Sequence, residues 1–176
     1  MRIIGLAGWS GAGKTTLLKR VIPALKGRGI SVSTVKHAHH KFDIDTPGKD
    51  SYEHRAAGAQ EVLVASSNRW ALMHELRDEP EWSLSELLGK LSRVDLVIVE
   101  GFKTGAHPKI EVYRSENGKA FIHPSDRDIV AIASDIRIPG ASLPVVSLDN
   151  AEAVADLMLQ YAVDSNALFG MMPASE

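Results

Sequence analysis

The sequence of 176 residues contains no cysteine. Disulfides, a thiolate zinc site and cysteine redox chemistry are therefore excluded. No apolar run approaches the roughly 18 to 20 residues needed to span a bilayer, so we expect no membrane partner. A strand pattern begins directly after Met1, which argues against a cleavable signal, and a cytoplasmic location is expected.

A basic excess is also missing. The 20 Lys and Arg residues against 22 Asp and Glu residues give a formal net charge of −2. General nucleic-acid binders are usually strongly basic, so we expect no nucleic-acid partner. The length suits one domain with a substantial core. We assign that domain to residues 1–163 and expect a disordered tail at residues 164–176, where no pattern is evident.

The most informative stretch is residues 8–15, GWSGAGKT. It fits the phosphate-binding loop G-x-x-x-x-G-K-[ST] at every fixed position, and a match by chance in a chain of this length has a probability on the order of 1%. An apolar strand pattern precedes it at residues 2–7 and a helical pattern follows at residues 16–25. This strand–loop–helix context is what the motif requires, so we predict that the loop binds a nucleoside triphosphate.

The chemistry of the loop follows from its residue types. Glycines let backbone N–H groups turn towards phosphate oxygens, and the positive end of the following helix favours negative charge. Lys14 is expected to reach the terminal phosphates, and the Thr15 hydroxyl to ligate Mg²⁺. The predicted nucleotide-binding residues of the loop are Trp9, Ser10, Gly11, Ala12, Gly13, Lys14, Thr15 and Thr16.

Strand and helix patterns alternate along the chain, which predicts an α/β fold. Strands are predicted at residues 2–7, 31–36, 61–65, 70–74, 94–101, 110–113, 120–122, 129–133 and 145–148, and helices at 16–25, 50–57, 80–91 and 150–161. Asn117-Gly118 is a hairpin signal between the strands at 110–113 and 120–122. The continuous apolar run at 94–101 is typical of a parallel strand buried on both faces. We predict a three-layer sandwich of the phosphate-loop NTPase type, with a mostly parallel sheet flanked by helices.

Ligands of such sheets lie beyond the carboxyl ends of the strands. Glu100 ends the buried strand pattern, where a carboxylate can hold a magnesium-bound water or orient an attacking one. We therefore predict Lys14 and Glu100 as the catalytic pair, and Thr15 and Glu100 as the magnesium side. Lys103 is a candidate for phosphate or partner contact, although an exposed lysine with no role is an equal alternative.

A long polar stretch follows the second predicted strand. Loops of this length are more often functional than idle, and this one can order around a terminal phosphate as a switch or substrate loop. Its candidate residues are Lys36, His37, His39, Asp45, Asp50 and Arg55. The histidines at 37, 39 and 40 also suggest a transition-metal site, but their spacing matches no closed zinc pattern.

The identity of the base is not determined by the motif. The guanine signature Asn-Lys-x-Asp of the Ras-like GTPases does not occur in this sequence. Asp135, just after a predicted strand, could accept hydrogen bonds from a guanine edge, or could equally be a helix cap or turn residue. The residues alone therefore predict a triphosphate without fixing its base.

Several stretches together resemble the MobB-type GTP-binding proteins, the adaptors of molybdopterin-guanine dinucleotide biosynthesis. They are residues 8–16, 34–40, 47–51, 54–59, 99–103 and 108–112, in this order. The resemblance runs from about residue 2 to residue 161. It implies a homodimeric protein that binds GTP and Mg²⁺, hydrolyses GTP weakly, and assists the nucleotidyltransferase that joins GMP to molybdopterin. Molybdopterin itself is a second candidate partner.

Carried over by position, the resemblance assigns phosphate binding to residues 11–16 and magnesium to Thr15 and Glu100. The stretch from Lys36 to Arg55 becomes the changeable region near the γ-phosphate or the delivered substrate. One departure concerns Trp9, which stands where many dimerising phosphate-loop proteins carry a lysine. The sequence therefore has no lysine at that point to act across a dimer.

Two alternatives share the same loop. A small-molecule kinase of this size usually brings an arginine-bearing lid to neutralise charge in the transition state, and no stretch here shows that pattern. A metallochaperone GTPase is suggested by the histidines at 37–40, but the absence of cysteine counts against it.

Overall fold

The computed structural model describes residues 1–38, 42–102 and 105–170. His39, His40 and Lys103, named above as candidates, lie outside the described residues. The chain separates into two compact units, residues 1–37 with 84–176 (the sheet unit) and residues 38–83 (the hairpin unit). Compactness does not show whether either unit folds by itself, so one domain over residues 1–163 stays a prediction.

Strands and helices alternate as the sequence predicts. In chain order the elements are β1 (Arg2–Ala7), α1 (Lys14–Gly27), β2 (Val32–Lys36), α2 (Asp50–Ala56), β3 (Glu61–Ala65), β4 (Trp70–His74), α3 (Leu84–Leu88), β5 (Leu96–Glu100), β6 (Lys109–Tyr113), a 3₁₀ turn (Ser115–Asn117), β7 (Ile129–Ser134), β8 (Val145–Ser147), α4 (Ala151–Tyr161), β9 (Val163–Asp164) and α5 (Ser165–Phe169). None of the helices in the described residues is long and apolar enough to cross a membrane.

The sheet unit is built on one sheet of seven strands. Six of them run in the order β2-β5-β1-β6-β7-β8 with every neighbouring pair parallel, and β9 is antiparallel to the start of β1. Parallel neighbours require crossover connections, which explains why helices alternate with strands along the chain. The predicted mostly parallel sheet is confirmed.

Successive residues of a strand point to opposite faces, so each strand serves two cores. Ile4 and Leu6 of β1 lie in a cluster with the buried faces of α1 and α4. Ile3 lies in a second cluster with Leu84 and Leu88 of α3, against which Leu168 and Phe169 of α5 also pack. The predicted three layers are therefore helices, sheet and helices.

The predicted hairpin with a strand at residues 120–122 is wrong. Both edges of β6 are already occupied by parallel neighbours, β1 on one side and β7 on the other. The backbone N–H groups of Ile122 and His123 donate instead to the carboxylate of Glu111, at 2.6 and 3.0 Å. Gly118 adopts a left-handed conformation at the end of the 3₁₀ turn, so Asn117-Gly118 marks a turn without a hairpin.

The predicted disordered tail is wrong for residues 164–170. Asp164 pairs with Arg2 in the sheet, and its side chain accepts hydrogen bonds from the Asn166 and Ala167 N–H groups at the start of α5. The apolar residues of α5 complete the second core described above. Five residues are too few to show a helical period in the sequence, and the burial depends on residues far away in the chain.

The hairpin unit contains α2 and the antiparallel pair β3–β4. Both strands match their predicted bounds.

The predicted helix at residues 80–91 is shorter in the structure, where only Leu84–Leu88 of the sheet unit is helical. In the sheet unit, Pro23 lies inside α1, which continues to Gly27.

Candidate functional site

The loop between β1 and α1 has a backbone that only glycine provides at two points. Gly8 has φ +151°, and a β-carbon there would lie 2.6 Å from the carbonyl oxygen of Val112. Gly13 has φ +92° and is the N-cap of α1. A side chain is disfavoured at both positions, so the motif glycines place the loop against β6 and turn it into the helix.

Lys14 is the first residue of α1, and its side chain folds back over the loop. Its ammonium group donates to the carbonyl oxygens of Gly8 and Trp9, at 2.7 and 3.1 Å. The cation therefore lies beside the loop backbone at the positive end of α1, where phosphate oxygens are favoured. Thr15 and Thr16 follow in the first turn and are exposed to solvent.

A second segment, residues 114–123 after β6, lies against the phosphate loop, and we call it the covering segment. The indole Nε1 of Trp9 donates to the Ala120 carbonyl oxygen at 2.8 Å, and the Asn117 amide donates to the Ser10 carbonyl oxygen at 3.3 Å. Glu111, buried in β6, holds the far end of the segment by accepting three hydrogen bonds from Ile122 and His123. The exposed loop residues Trp9 and Ser10 are thus tied to a neighbouring strand end.

Glu100 lies at the end of β5 in register with Leu6 of β1 and Lys36 of β2. Ile98 and Leu96, two and four residues earlier, belong to the core on the α1 side. Because successive residues of a strand alternate between its two faces, Glu100 lies on the same face of the sheet as α1. It lies one residue before the level at which β1 ends and the phosphate loop begins. The structure therefore brings Glu100 to the carboxyl edge next to the phosphate loop.

Lys36 is the last residue of β2 at the same edge, and His37 follows it. The His37 N–H donates to the Glu100 carbonyl oxygen at 2.8 Å, and its ring lies 5.0 Å from that of Phe102. Among the described residues, no group of three or more His, Asp or Glu side chains is arranged to hold a metal ion. The ring contact gives His37 a packing role. The predicted transition-metal site also includes His39 and His40, which lie outside the described residues.

Arg55 in the hairpin unit is paired with three carboxylates. Its guanidinium contacts Asp43 and Glu75 at 2.9 and 2.8 Å and Asp45 at 3.3 Å. The hydrogen bonds that Arg55 donates to Glu75 and then to Asp43 raise the pKa of Arg55 above its ordinary value. A phosphate at Arg55 would have to displace one of these partners. Asp50 is the first residue of α2, and the N-cap of that helix is Lys49.

Asp135 follows β7 and accepts hydrogen bonds from the Ser115 N–H and hydroxyl, both at 2.9 Å. Burial raises the pKa of Asp135, but these hydrogen bonds outweigh it, and the pKa lies below the ordinary value. The carboxylate thus fixes the start of the covering segment. Recognition of guanine by Asp135 stays a prediction.

Arg114 is a residue that the sequence reasoning did not select. It directly follows β6, and its guanidinium lies against Gly13: a β-carbon on that glycine would be 3.4 Å from Nη2 and 3.7 Å from Nε. Arg114 is 101 residues further along the chain than Gly13, and only the position of β6 beside β1 brings the two together. No local sequence signal shows that neighbourhood.

Comparison with known proteins adds an independent line of evidence. The model of the family described as molybdopterin guanine dinucleotide synthesis protein B matches residues 3–135. The chain is 42% identical over 170 residues to the molybdopterin-guanine dinucleotide biosynthesis adapter protein of Escherichia coli (strain K12), covering 93% of this chain and 95% of that protein. It is also 42% identical to the adapter protein of Haemophilus influenzae, covering 76% and 74%.

The solved structures agree with the fold. A crystal structure of molybdopterin-guanine biosynthesis protein B superposes with a TM-score of 0.70 at 30% identity, covering 90% of this chain and 98% of that one.

Proposed function

The chain belongs to the molybdopterin guanine dinucleotide synthesis protein B family, and on this premise we propose that it is a GTP-binding adaptor of molybdenum cofactor assembly. It binds GTP with Mg²⁺ in the cytoplasm. It assists the nucleotidyltransferase that attaches GMP to molybdopterin, and molybdopterin is a second candidate ligand. The observation that carries the proposal is the phosphate loop with Gly13 at the N-cap of α1 and Lys14 folded over it.

The residues present fit a triphosphate. Backbone N–H groups at the start of α1 and the Lys14 ammonium supply positive charge on one side of the loop, and the exposed Thr15 hydroxyl follows directly. A bound Mg²⁺ would neutralise charge on the phosphates. We propose that Thr15 and Glu100 serve its coordination sphere, with Glu100 accepting a hydrogen bond from a water on the α1 face of the sheet.

We propose slow hydrolysis as a property of this site. The covering segment is fixed to the loop by Trp9, Asn117 and Asp135, and it brings one arginine to Gly13. None of the comparisons favours the small-molecule kinase or the metallochaperone as an alternative. An adaptor needs only to bind nucleotide and partner, so rapid phosphoryl transfer is not required of this site.

Homodimerisation is supported by the exposed surface of the hairpin unit. Leu63 is 63% exposed and pairs with Leu72, which is 47% exposed, and Trp70 at the same face is 65% exposed. Apolar side chains contiguous on a two-stranded sheet mark an interaction surface, because such a sheet is barely stable alone in water. We propose that a second copy of the chain covers this face.

The base preference tests the proposal. Calorimetric titration of the protein with GTP and with ATP, each with Mg²⁺, should give at least a tenfold tighter Kd for GTP, a difference of about 1.4 kcal/mol. The nucleotidyltransferase should then be retained by the GTP-loaded protein on a column. Equal affinity for both nucleotides, or a preference for ATP, would contradict the GTP assignment.

A further inference from the structure

Arg114 lies beside the phosphate loop because the strand before it, β6, is the neighbour of β1 in the sheet. Its backbone leaves β6 in an extended conformation, and the following 3₁₀ turn is held by Asp135 through Ser115. Nη2, Nε and Cζ of the guanidinium would all lie within 4.0 Å of a β-carbon on Gly13. Nη2 and Nε are the nearest of these atoms, so the guanidinium lies beside the N-cap residue of α1 with the edge that carries these two nitrogens.

The charge of Arg114 is not neutralised by a direct partner. The side chain is half-buried, yet the guanidinium makes neither a hydrogen bond nor an ion pair with any residue that the structure describes. Asp135 attracts it electrostatically, but that carboxylate is already engaged by Ser115. Holding a cation half out of water without a partner costs free energy, so the arrangement favours an anion beside it.

We infer that Arg114 binds the α- and β-phosphates of the nucleotide in the loop. In phosphate loops the backbone N–H groups cradle the α- and β-phosphates, while the lysine reaches the β- and γ-phosphates. Arg114 lies against the backbone of Gly13, whereas the Lys14 ammonium lies at Gly8 and Trp9. The inference rests on the proposed function, since it requires a nucleotide in this loop, and it adds a binding residue that directly follows β6.

The experiment is a calorimetric comparison of GTP and GDP binding, both with Mg²⁺, in the full-length wild type and in Arg114→Ala. A charge-assisted hydrogen bond lost on both nucleotides should weaken both by the same factor, roughly 10- to 100-fold. Arg114→Lys should recover part of the loss because it keeps the charge. Arg127→Ala removes the same charge from an exposed site in the turn before β7 and should change neither affinity.

The outcomes separate the inference from the function on which it rests. Unchanged affinity of Arg114→Ala, with a wild type that binds GTP, overturns the role of Arg114 alone. A loss confined to GTP places the contact at the γ-phosphate and also overturns it. A wild type that binds neither nucleotide overturns both. If Arg114→Ala has a lower melting temperature than the wild type, Arg114→Gln, which keeps the length of the side chain, replaces it in the same titration.

Discussion

The cations at the two ends of β6 differ in whether carboxylates of the chain neutralise them. At its amino end, Lys109 is buried and paired with Asp126 and Asp128, at 3.1 and 3.6 Å. At its carboxyl end, Arg114 is half-buried and makes no ion pair within the described part of the chain. Both are cations at the ends of one short strand, but only the second lies beside the phosphate loop. A cation neutralised within the chain supports the fold, and one left unneutralised at a loop is suited to a ligand.

The largest loss of stability is expected at Glu111, which lies within β6 between these two cations. It is 1% exposed and accepts hydrogen bonds from Ile122 and His123. Glu111→Gln places an amide donor against these N–H groups and should lower the free energy of unfolding by about 4 kcal/mol. Urea denaturation measures the effect, with the exposed Glu116→Gln as control. Equal stability of the two variants would show that Glu111 does not hold the covering segment.

The amino end of β6 should also show a pH dependence. His107 is 2% exposed and its Nδ1 has no hydrogen-bond partner among the described residues. Burial, followed by the charge of Lys109, lowers the pKa of His107 from 6.5 to about 4. The unfolded chain therefore binds a proton more readily, so stability is full above pH 6.5 and falls as the pH drops towards 4, by about 3 kcal/mol.

The variant that checks this effect is His107→Leu, which removes the titrating ring. Its free energy of unfolding, measured by urea denaturation between pH 6.5 and 4, should lose most of the slope that the wild type shows. An identical slope in the two proteins would assign the pH dependence to other groups.

A smaller loss of stability is expected when the ion pairs of Lys109 are removed. Lys109→Met keeps the apolar stem but leaves Asp126 and Asp128 without their cation, which should cost about 2 kcal/mol. The affinity for GTP should stay within twofold, because the site lies at the opposite end of the strand from the phosphate loop. A strong loss of GTP affinity in a folded Lys109→Met would show that the amino end of β6 also contributes to nucleotide binding. That result would contradict the distinction drawn between the two ends.

The smallest change in binding is expected from Glu100→Gln. The substitution keeps the shape of the side chain at the end of β5 and removes one negative charge beside the loop. We expect nearly unchanged affinity for GTP with Mg²⁺ and slower magnesium-dependent hydrolysis, measured as phosphate release under single-turnover conditions. An unaltered rate would remove Glu100 from the mechanism.

The parts of the molecule that the sequence predicts well depend on local patterns. The phosphate loop has its residues at fixed spacing, and β3, β4 and β5 have strand patterns of their own. The wrong predictions, a strand at residues 120–122 and a disordered tail at residues 164–170, have another origin. Both depend on which strand lies next to which: β6 has no free edge, and α5 is ordered by apolar contacts with the face of the sheet opposite α1.

The same limit applies to the candidate site. Lys14, Thr15 and Glu100 could be selected because each follows a recognisable strand or motif. Arg114 could not, because its relation to Gly13 arises from the order β1-β6 in the sheet. Arg55 is predicted as a residue of the switch or substrate loop, and its three carboxylate partners are visible only in the structure.

The most direct test of the account is the affinity of Lys14→Ala for GTP. Calorimetric titration with Mg²⁺ should show tight binding to the wild type and none to the variant, because the ammonium group at Gly8 and Trp9 is the charge that the motif supplies to the terminal phosphates. Lys19→Ala, an exposed lysine on α1, should bind like the wild type, and all three proteins should share one melting temperature within a few degrees. Unchanged GTP affinity in a folded Lys14→Ala would contradict the assignment of residues 8–15 as the nucleotide site.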